Sequence, residues 1–111
     1  MASDEMNMIE IGQRIATRRK SLSLTQEALA EKAEVTTQFI SYAESGKRAM
    51  RSENLVKLST ALGVSADYLL TGQIIDKDLL LLGEKLGRLT PEQFHIIEGI
   101  IDACIELTCA Q

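Results

Sequence analysis

Three glycines divide much of this 111-residue chain into short amphipathic stretches. Gly46, Gly63 and Gly72 each follow a segment in which apolar residues recur every third or fourth position, the spacing of one helix face. Glycine is typical of the position after a helix, because it adopts the left-handed backbone without a Cβ clash. A single proline and 4% aromatic residues also argue against a β-sandwich. The sequence therefore predicts an all-α fold.

Hydroxyl residues stand where these helices are expected to begin. Thr25, Thr36, Ser52 and Ser65 can each accept a hydrogen bond from a backbone N–H that would otherwise lack a partner. With the glycine ends, they predict helices at 8–21, 25–32, 36–45, 52–62 and 65–71. Five short helices with brief connections predict one compact helical domain at residues 8–72, preceded by a flexible N-terminus at residues 1–7.

Residues 73–111 predict a two-helix C-terminal extension. Thr90, Pro91 and Gln93 form a strong helix start, with a cap, a proline at the first helical position and a side chain that can reach back to the cap. Nineteen of these 39 residues are Ala, Ile, Leu, Phe or Cys, more than two helices bury between themselves. Dimerisation and packing onto the first domain both remain open. The candidate interface residues are Leu79, Leu82, Leu86, Phe94, Ile97, Ile101 and Cys104.

The acidic net charge of −4 is a property of the C-terminal extension. Residues 8–51 contain eight Lys/Arg and five Glu, a local charge of +3, whereas residues 73–111 carry −4. The acidity of the whole chain therefore does not argue against a nucleic-acid-binding surface near the N-terminus.

The sequence lacks the residues that several classes of function require. Cys104 and Cys109 are five apart, which matches neither a CxxC redox motif nor a metal site, and His95 has no ligand at metal-binding spacing. We therefore expect no enzyme, no metal, no cofactor and no evident small-molecule ligand. The first residues show no secretory signal, and the longest aliphatic run is far shorter than a membrane span, so we expect a cytoplasmic protein.

The segment LTQEALAEKAEVTTQFISYAESGKR, residues 24–48, predicts two short helices joined by a tight turn. In the second helix, Ile40 and Ala43 are expected to face inward, which leaves a polar outer face flanked by basic residues. Such a helix can enter the major groove of DNA.

With IGQRI before this segment and LVKLSTALGVSADYLLTG after it, the chain resembles the phage-repressor/Xre class of helix-turn-helix transcriptional regulators. The resemblance covers residues 11–72. It implies a five-helix domain that binds double-stranded DNA, usually as a homodimer on a palindromic operator.

The resemblance also implies roles for individual residues. The expected base-reading residues are Thr36, Thr37, Gln38, Ser41 and Tyr42. Gln38 is the strongest candidate, since its amide can both donate to and accept from adenine. The expected phosphate contacts are Thr25, Gln26, Lys47, Arg48, Arg51 and, secondarily, Arg19. Arg19 and Glu44 are expected to form a structural ion pair between helices.

Several residues depart from the family pattern, Glu34 and Arg18 among them, and one alternative function remains. Glu34 lies where the family favours glycine, and a left-handed backbone there would cost about 1 kcal/mol. Arg18 takes a position where relatives often carry leucine, so its stem is expected to pack while its head reaches solvent. The alternative is a protein-interaction module of the same fold, such as an antitoxin that neutralises a partner through the apolar tail.

Overall fold

The computed structural model describes the backbone of residues 2–109 and the side chains of residues 8–107. Over this backbone the chain forms seven helices and no strand, which confirms the prediction of an all-α fold. The helices are α1 (Ala2–Ser21), α2 (Gln26–Ala33), α3 (Thr37–Ser45), α4 (Ser52–Leu62), α5 (Ala66–Thr71), α6 (Asp76–Leu86) and α7 (Pro91–Cys109). Helix α1 begins at Ala2 and not at residue 8 as predicted. The side chains of the N-terminus at residues 1–7 and of Cys109 lie outside the described part.

The chain divides into two compact units, Met1–Leu79 and Leu80–Gln111, and the division falls within α6. The first unit holds α1 to α5 and the first turn of α6. The second holds the rest of α6 and α7. The assignment of functional domains to residues 8–72 and 73–111 remains a prediction.

The core of the first unit is built from the apolar faces of its five helices. Six large aliphatic side chains are almost completely buried, and they come from every one of α1 to α5: Ile15, Leu29, Ile40, Leu58, Leu62 and Leu69. The small residues Ala30 and Ala33 of α2 and Ala43 of α3 are also buried, and these two helices are in contact with each other. Burial of an aliphatic side chain contributes about 1.5–3 kcal/mol, so this shared core is the main source of stability.

Most of the predicted caps are present, and one is displaced. The hydroxyls of Thr25, Thr36 and Ser65 accept hydrogen bonds from backbone N–H groups of the helices that they begin. The prediction of Ser52 as a cap is wrong. Arg51 takes that position with an extended backbone (φ −74°, ψ 153°), and its side chain makes no capping bond, so Ser52 is the first helical residue.

The turn between α2 and α3 contains a non-glycine residue in the left-handed conformation. Glu34 ends α2 with φ 60° and ψ 44°, and its backbone N–H donates to the carbonyls of Ala30 and Glu31. The next N–H, that of Val35, donates to the Ala30 oxygen at 2.9 Å. These bonds satisfy carbonyls at the end of the helix, but they hold a residue with a Cβ where glycine is favoured.

Replacing Glu34 by glycine is expected to raise the free energy of unfolding by about 1 kcal/mol, because glycine enters this conformation without a Cβ clash. Thermal melting of the full chain would show the gain. Glu34→Ala is the matched control, since it removes the charge and keeps the Cβ, and it should bring no comparable gain. A lower melting temperature for Glu34→Gly would contradict the explanation.

A carboxylate at the start of α6 caps two helix starts within the first unit. The Oδ1 atom of Asp78 accepts from the Ser65 backbone N–H at 2.8 Å, and Oδ2 accepts from the Ser65 hydroxyl and the Ile75 N–H, both at 2.9 Å. Partial desolvation raises the pKa of Asp78, but the hydrogen bonds from Ile75 and Ser65 outweigh it and hold the pKa below its usual value.

This lowered pKa gives Asp78→Asn a pH-dependent effect. The carboxylate stabilises the fold above its unfolded pKa of 3.8, and the stabilisation is lost as the pH falls through the lower folded value. At neutral pH we expect the variant to lose about 1.5 kcal/mol, since a hydrogen-bonded charge is replaced by an amide. Urea unfolding at neutral and acidic pH, at one protein concentration, measures the difference.

Asp76→Asn changes an exposed carboxylate of the same helix and serves as the control. A difference between wild type and Asp78→Asn that stays constant from neutral pH to well below the folded pKa would contradict a role for the charge.

Candidate nucleic-acid interface

Helices α2 and α3 form a helix-turn-helix unit with its second helix partly open to solvent. Buried Ile40 and Ala43 fix one face of α3 in the core. On the opposite face, Thr37, Gln38 and Ser41 are exposed. The sequence folds in this way because its apolar residues recur at helical spacing on one side only.

The starts of α2 and α3 lie along one shallow surface groove. Its lining includes Thr25 and Gln26 from the start of α2, Thr37 from the start of α3, and Arg19 and Glu27. The Thr25 hydroxyl accepts a hydrogen bond from the Ala28 backbone N–H, and the Thr36 hydroxyl accepts one from the Phe39 backbone N–H, both at 3.0 Å. Each hydroxyl retains its own proton for donation, so the threonines can cap a helix and bind an anionic oxygen at the same time.

An ion pair joins α1 to the end of α3. Arg19 Nε donates to Glu44 Oε2 at 2.6 Å, and Nη2 donates to Oε1 at 3.1 Å, with the two side chains only 12% and 8% exposed. The hydrogen bonds that Arg19 donates to Glu44 raise the pKa of Arg19 against the opposing effect of burial. Gln26 also donates to Glu44 Oε1, at 3.0 Å. The three side chains therefore hold α1, α2 and α3 in a fixed arrangement.

The arginines of α1 are largely committed to internal bonds. Arg18 Nε donates to the Leu62 carbonyl at 2.9 Å, and Arg14 Nη1 donates to the Leu69 carbonyl at 2.8 Å. Arg18 is half-buried, and its Nε thus supplies a donor to one of the last carbonyls of α4, which have no partner within the helix. Arg19 additionally donates from Nη1 to the Leu24 carbonyl.

The basic residues after α3 remain exposed. Gly46 ends α3 with φ 72°, and the chain then presents Lys47, Arg48 and Arg51 to solvent. The Arg48 guanidinium lies over the Tyr42 ring, 5.0 Å from its centroid. Tyr42 is half-buried, and its hydroxyl accepts a hydrogen bond from Gln38 Nε2 at 2.9 Å. Sequence reasoning placed these residues near one another but missed the bonds between them.

The predicted interface residues of the C-terminal extension, or tail (residues 73–111), are largely exposed. Leu79, Leu82, Phe94, Ile101 and Cys104 are exposed, and Leu86 and Ile97 are half-buried. No side chain described between residues 80 and 107 is fully buried. The described side chains of the second unit therefore do not form a buried core. The predicted start of α7 is present, since the side chains of Thr90 and Gln93 each accept a hydrogen bond from the other's backbone N–H.

Comparison with known proteins shows the family. The helix-turn-helix family model matches residues 15–69. The HTH-type transcriptional regulator DicA of Escherichia coli (strain K12) is 33% identical over 94 residues, which cover 85% of this chain and 69% of DicA. The chain belongs to the phage-repressor class of helix-turn-helix regulators. This relationship confirms the family prediction, and the relatives are regulators and not enzymes.

Two further relatives are named as repressors. Repressor protein C2 of Salmonella phage P22 is 42% identical over 69 residues, which cover 62% of this chain. The chain spans only 32% of the length of C2. The cryptic phage CTXphi transcriptional repressor RstR of Vibrio cholerae is 28% identical over 99 residues, which cover 87% of this chain and 88% of RstR.

Solved structures with the same fold include two complexes. The P22 c2 repressor bound to a synthetic operator has a TM-score of 0.55 and 43% identity, and covers 57% of this chain and 96% of its own. A SinR protein/SinI protein complex has a TM-score of 0.54 and 27% identity, and covers 86% of this chain and 98% of the matched chain. These matches, together with the all-helical architecture, confirm the predicted repressor-like fold.

The described part of the chain offers neither a metal site nor a membrane span. Among these residues, no group of three or more His, Cys, Asp or Glu is placed to hold a metal ion. None of the described helices has both the length and the apolar composition to cross a membrane.

Proposed function

We propose that this chain is a sequence-specific DNA-binding repressor that acts as a homodimer on a palindromic operator. The observation that carries the proposal is the outer face of α3, which is polar, exposed and fixed from behind by the core and by the Arg19–Glu44 pair. The similar P22 repressor, crystallised with a synthetic operator, supports the assignment.

In this proposal α3 lies in the major groove and its outer residues meet the edges of bases. Thr36, Thr37 and Gln38 are at the N-terminal end of the helix, which is the end that helix-turn-helix proteins direct at bases. Gln38 would recognise adenine, while Ser41 lies one turn further along the same face.

Phosphate contacts would come from both ends of the unit. Thr25 and Gln26 lie at the start of α2, where backbone N–H groups and the helix dipole favour an anion. Lys47, Arg48 and Arg51 would supply positive charge on the other side of α3. Arg19, already bound to Glu44, would contribute less. Such contacts give affinity and salt dependence without selecting a sequence.

Selection of binding sites from random DNA tests this function. The full chain is expected to enrich a palindrome whose half-sites are about one helical turn, roughly 34 Å, apart. Gln38→Ala should relax the preference at one position in each half-site and cost about 1–3 kcal/mol there. Glu31→Ala, on α2, is an exposed control that should leave the selected sequence unchanged. Failure of the wild-type chain to enrich any sequence would contradict the proposal.

The dimer part of the proposal rests on the uncovered apolar residues of the tail. Leu82 and Ile101 are 50% and 43% exposed, on α6 and α7 respectively. A second copy of the chain would bury such residues and also supply the second reading helix that a palindrome requires. Sedimentation equilibrium of the full chain should show a dimer, and Leu82→Glu or Ile101→Glu should shift it toward monomer. Val56→Glu, at a 55% exposed position of α4, is the control.

One observation favours a second candidate function, a protein-interaction module that neutralises a partner through the same tail. The similar SinR protein has a solved structure in complex with a different protein, SinI. A monomeric full chain that selects no DNA sequence would favour this function over the repressor.

A further inference from the structure

Tyr42 lies between the residue proposed to read a base and a residue proposed to bind phosphate. Its hydroxyl oxygen accepts a hydrogen bond from Gln38 Nε2 at 2.9 Å, one turn earlier on α3. The Arg48 guanidinium, in the loop after α3, lies 5.0 Å from the centroid of the same ring. One side chain therefore contacts both the outer face of α3 and the basic loop.

The hydrogen bond to Tyr42 changes what the Gln38 amide can offer to DNA. A glutamine amide has two N–H groups and one carbonyl oxygen. One N–H is directed at the Tyr42 hydroxyl, which leaves one N–H and the oxygen. A bidentate contact with adenine needs one N–H and the oxygen, so a donor and an acceptor both remain. The bond therefore restricts the rotation of an exposed, flexible side chain without occupying the groups that would recognise the base.

The ring of Tyr42 has a separate effect on Arg48. A guanidinium over an aromatic face is held by the quadrupole of the ring, and this interaction does not involve the hydroxyl. Tyr42 is half-buried on the helix that also carries the core residues Ile40 and Ala43, whereas Arg48 is exposed. The ring can thus fix the direction of a charge on the loop.

We propose that Tyr42 is a positioning residue that orients Gln38 for base recognition and Arg48 for phosphate binding, and does not itself read a base. This inference rests on the proposed DNA-binding function and assigns Tyr42 a role different from that of Thr37 or Ser41. It links specificity and affinity through two chemically separable parts of one side chain, the hydroxyl and the ring.

Two substitutions separate the two parts. Tyr42→Phe removes the hydroxyl and keeps the ring, so discrimination at the position read by Gln38 should fall about fivefold, as the loss of one hydrogen bond implies. The affinity for unrelated DNA should stay the same. Tyr42→Leu removes the ring as well, so it should also weaken binding to unrelated DNA and reduce the salt dependence. Tyr68→Phe removes the same atom from α5 and is the matched control.

A double-mutant cycle distinguishes positioning from direct contact. If Tyr42 acts through Gln38, adding Tyr42→Phe to Gln38→Ala should cause no further loss of discrimination. A further loss in the double variant would overturn the proposal, because Tyr42 would then contact DNA on its own.

A measurement without DNA keeps this inference separate from the proposed function. In NMR spectra of the free protein, Tyr42→Phe should move the side-chain amide signals of Gln38 toward those of a solvated glutamine, and Tyr68→Phe should not. Unchanged Gln38 signals in Tyr42→Phe would overturn the positioning role even if the protein binds DNA. A third outcome is also informative. If Tyr42→Phe shifts the Gln38 signals but the wild-type chain selects no DNA sequence, the DNA-binding function is overturned. The role of Gln38 and Tyr42 in base recognition is then overturned with it.

Discussion

Gly12→Ala is expected to destabilise the first unit by about 3 kcal/mol, at the upper end of the usual cost of overpacking. Gly12 is buried on α1, and a Cβ built on it would lie 2.5 Å from the carbonyl oxygens of both Ala43 and Glu44. These are backbone atoms of α3, so no side-chain rotation can relieve the clash. The two helices would have to separate, which would open the core around Ile15 and Ile40.

Urea unfolding followed by circular dichroism measures this loss. The matched control is Gly83→Ala on α6, where a Cβ would meet no heavy atom within 4 Å apart from the adjacent backbone of its own helix. Alanine in an exposed helix interior is expected to stabilise by about 0.5–1 kcal/mol, so the two glycine substitutions should have opposite signs. Equal stability of Gly12→Ala and wild type would show that α1 and α3 are not in such close contact.

Glu44→Ala is expected to cost about 3 kcal/mol, because it leaves a largely buried guanidinium without its carboxylate. Arg19 would lose both hydrogen bonds to Glu44, and Gln26 would lose the acceptor for its amide. The control is Glu10→Ala, which breaks the exposed Arg14–Glu10 pair at 3.4 Å and should cost only about 0.5 kcal/mol.

A double variant separates loss of the ion pair from isolation of one charge. Arg19→Met with Glu44→Leu removes both charges and replaces them with apolar groups, which is often neutral or stabilising at buried sites. We expect it to recover most of the stability lost in Glu44→Ala. Chemical unfolding of wild type, Arg19→Met, Glu44→Leu and the double variant gives the coupling energy. A double variant as unstable as Glu44→Ala would exclude unpaired charge as the cause.

Local sequence signals predicted the helices of the first unit well. Residues close along the chain determine a cap or a C-terminal glycine, so Thr36, Ser65 and Gly63 could be interpreted from their neighbours alone. The displaced cap at Arg51 shows the limit of this reasoning. A hydroxyl is favourable at a cap but does not determine which residue adopts the extended backbone.

Contacts between distant residues could not be predicted in the same way. The partner of Arg18 is a carbonyl 44 residues away, and a carbonyl carries no sequence signal because every residue has one. Asp78 was likewise indistinguishable from other acidic residues at a helix start until the fold brought it to Ser65. The Gln38–Tyr42 spacing, four residues on one helix, was visible in the sequence and could have predicted their contact.

Both ends of the six-residue helix α5 are held by side chains from other helices. Asp78 bonds to Ser65 before its first turn, and Arg14 bonds to the Leu69 carbonyl in its last. Short helices commonly open from their ends, and their amide hydrogens then exchange with solvent in small local events. With neither end released, the amides of α5 should instead exchange together with those of α1, so that the smallest helix of the first unit is protected like its core.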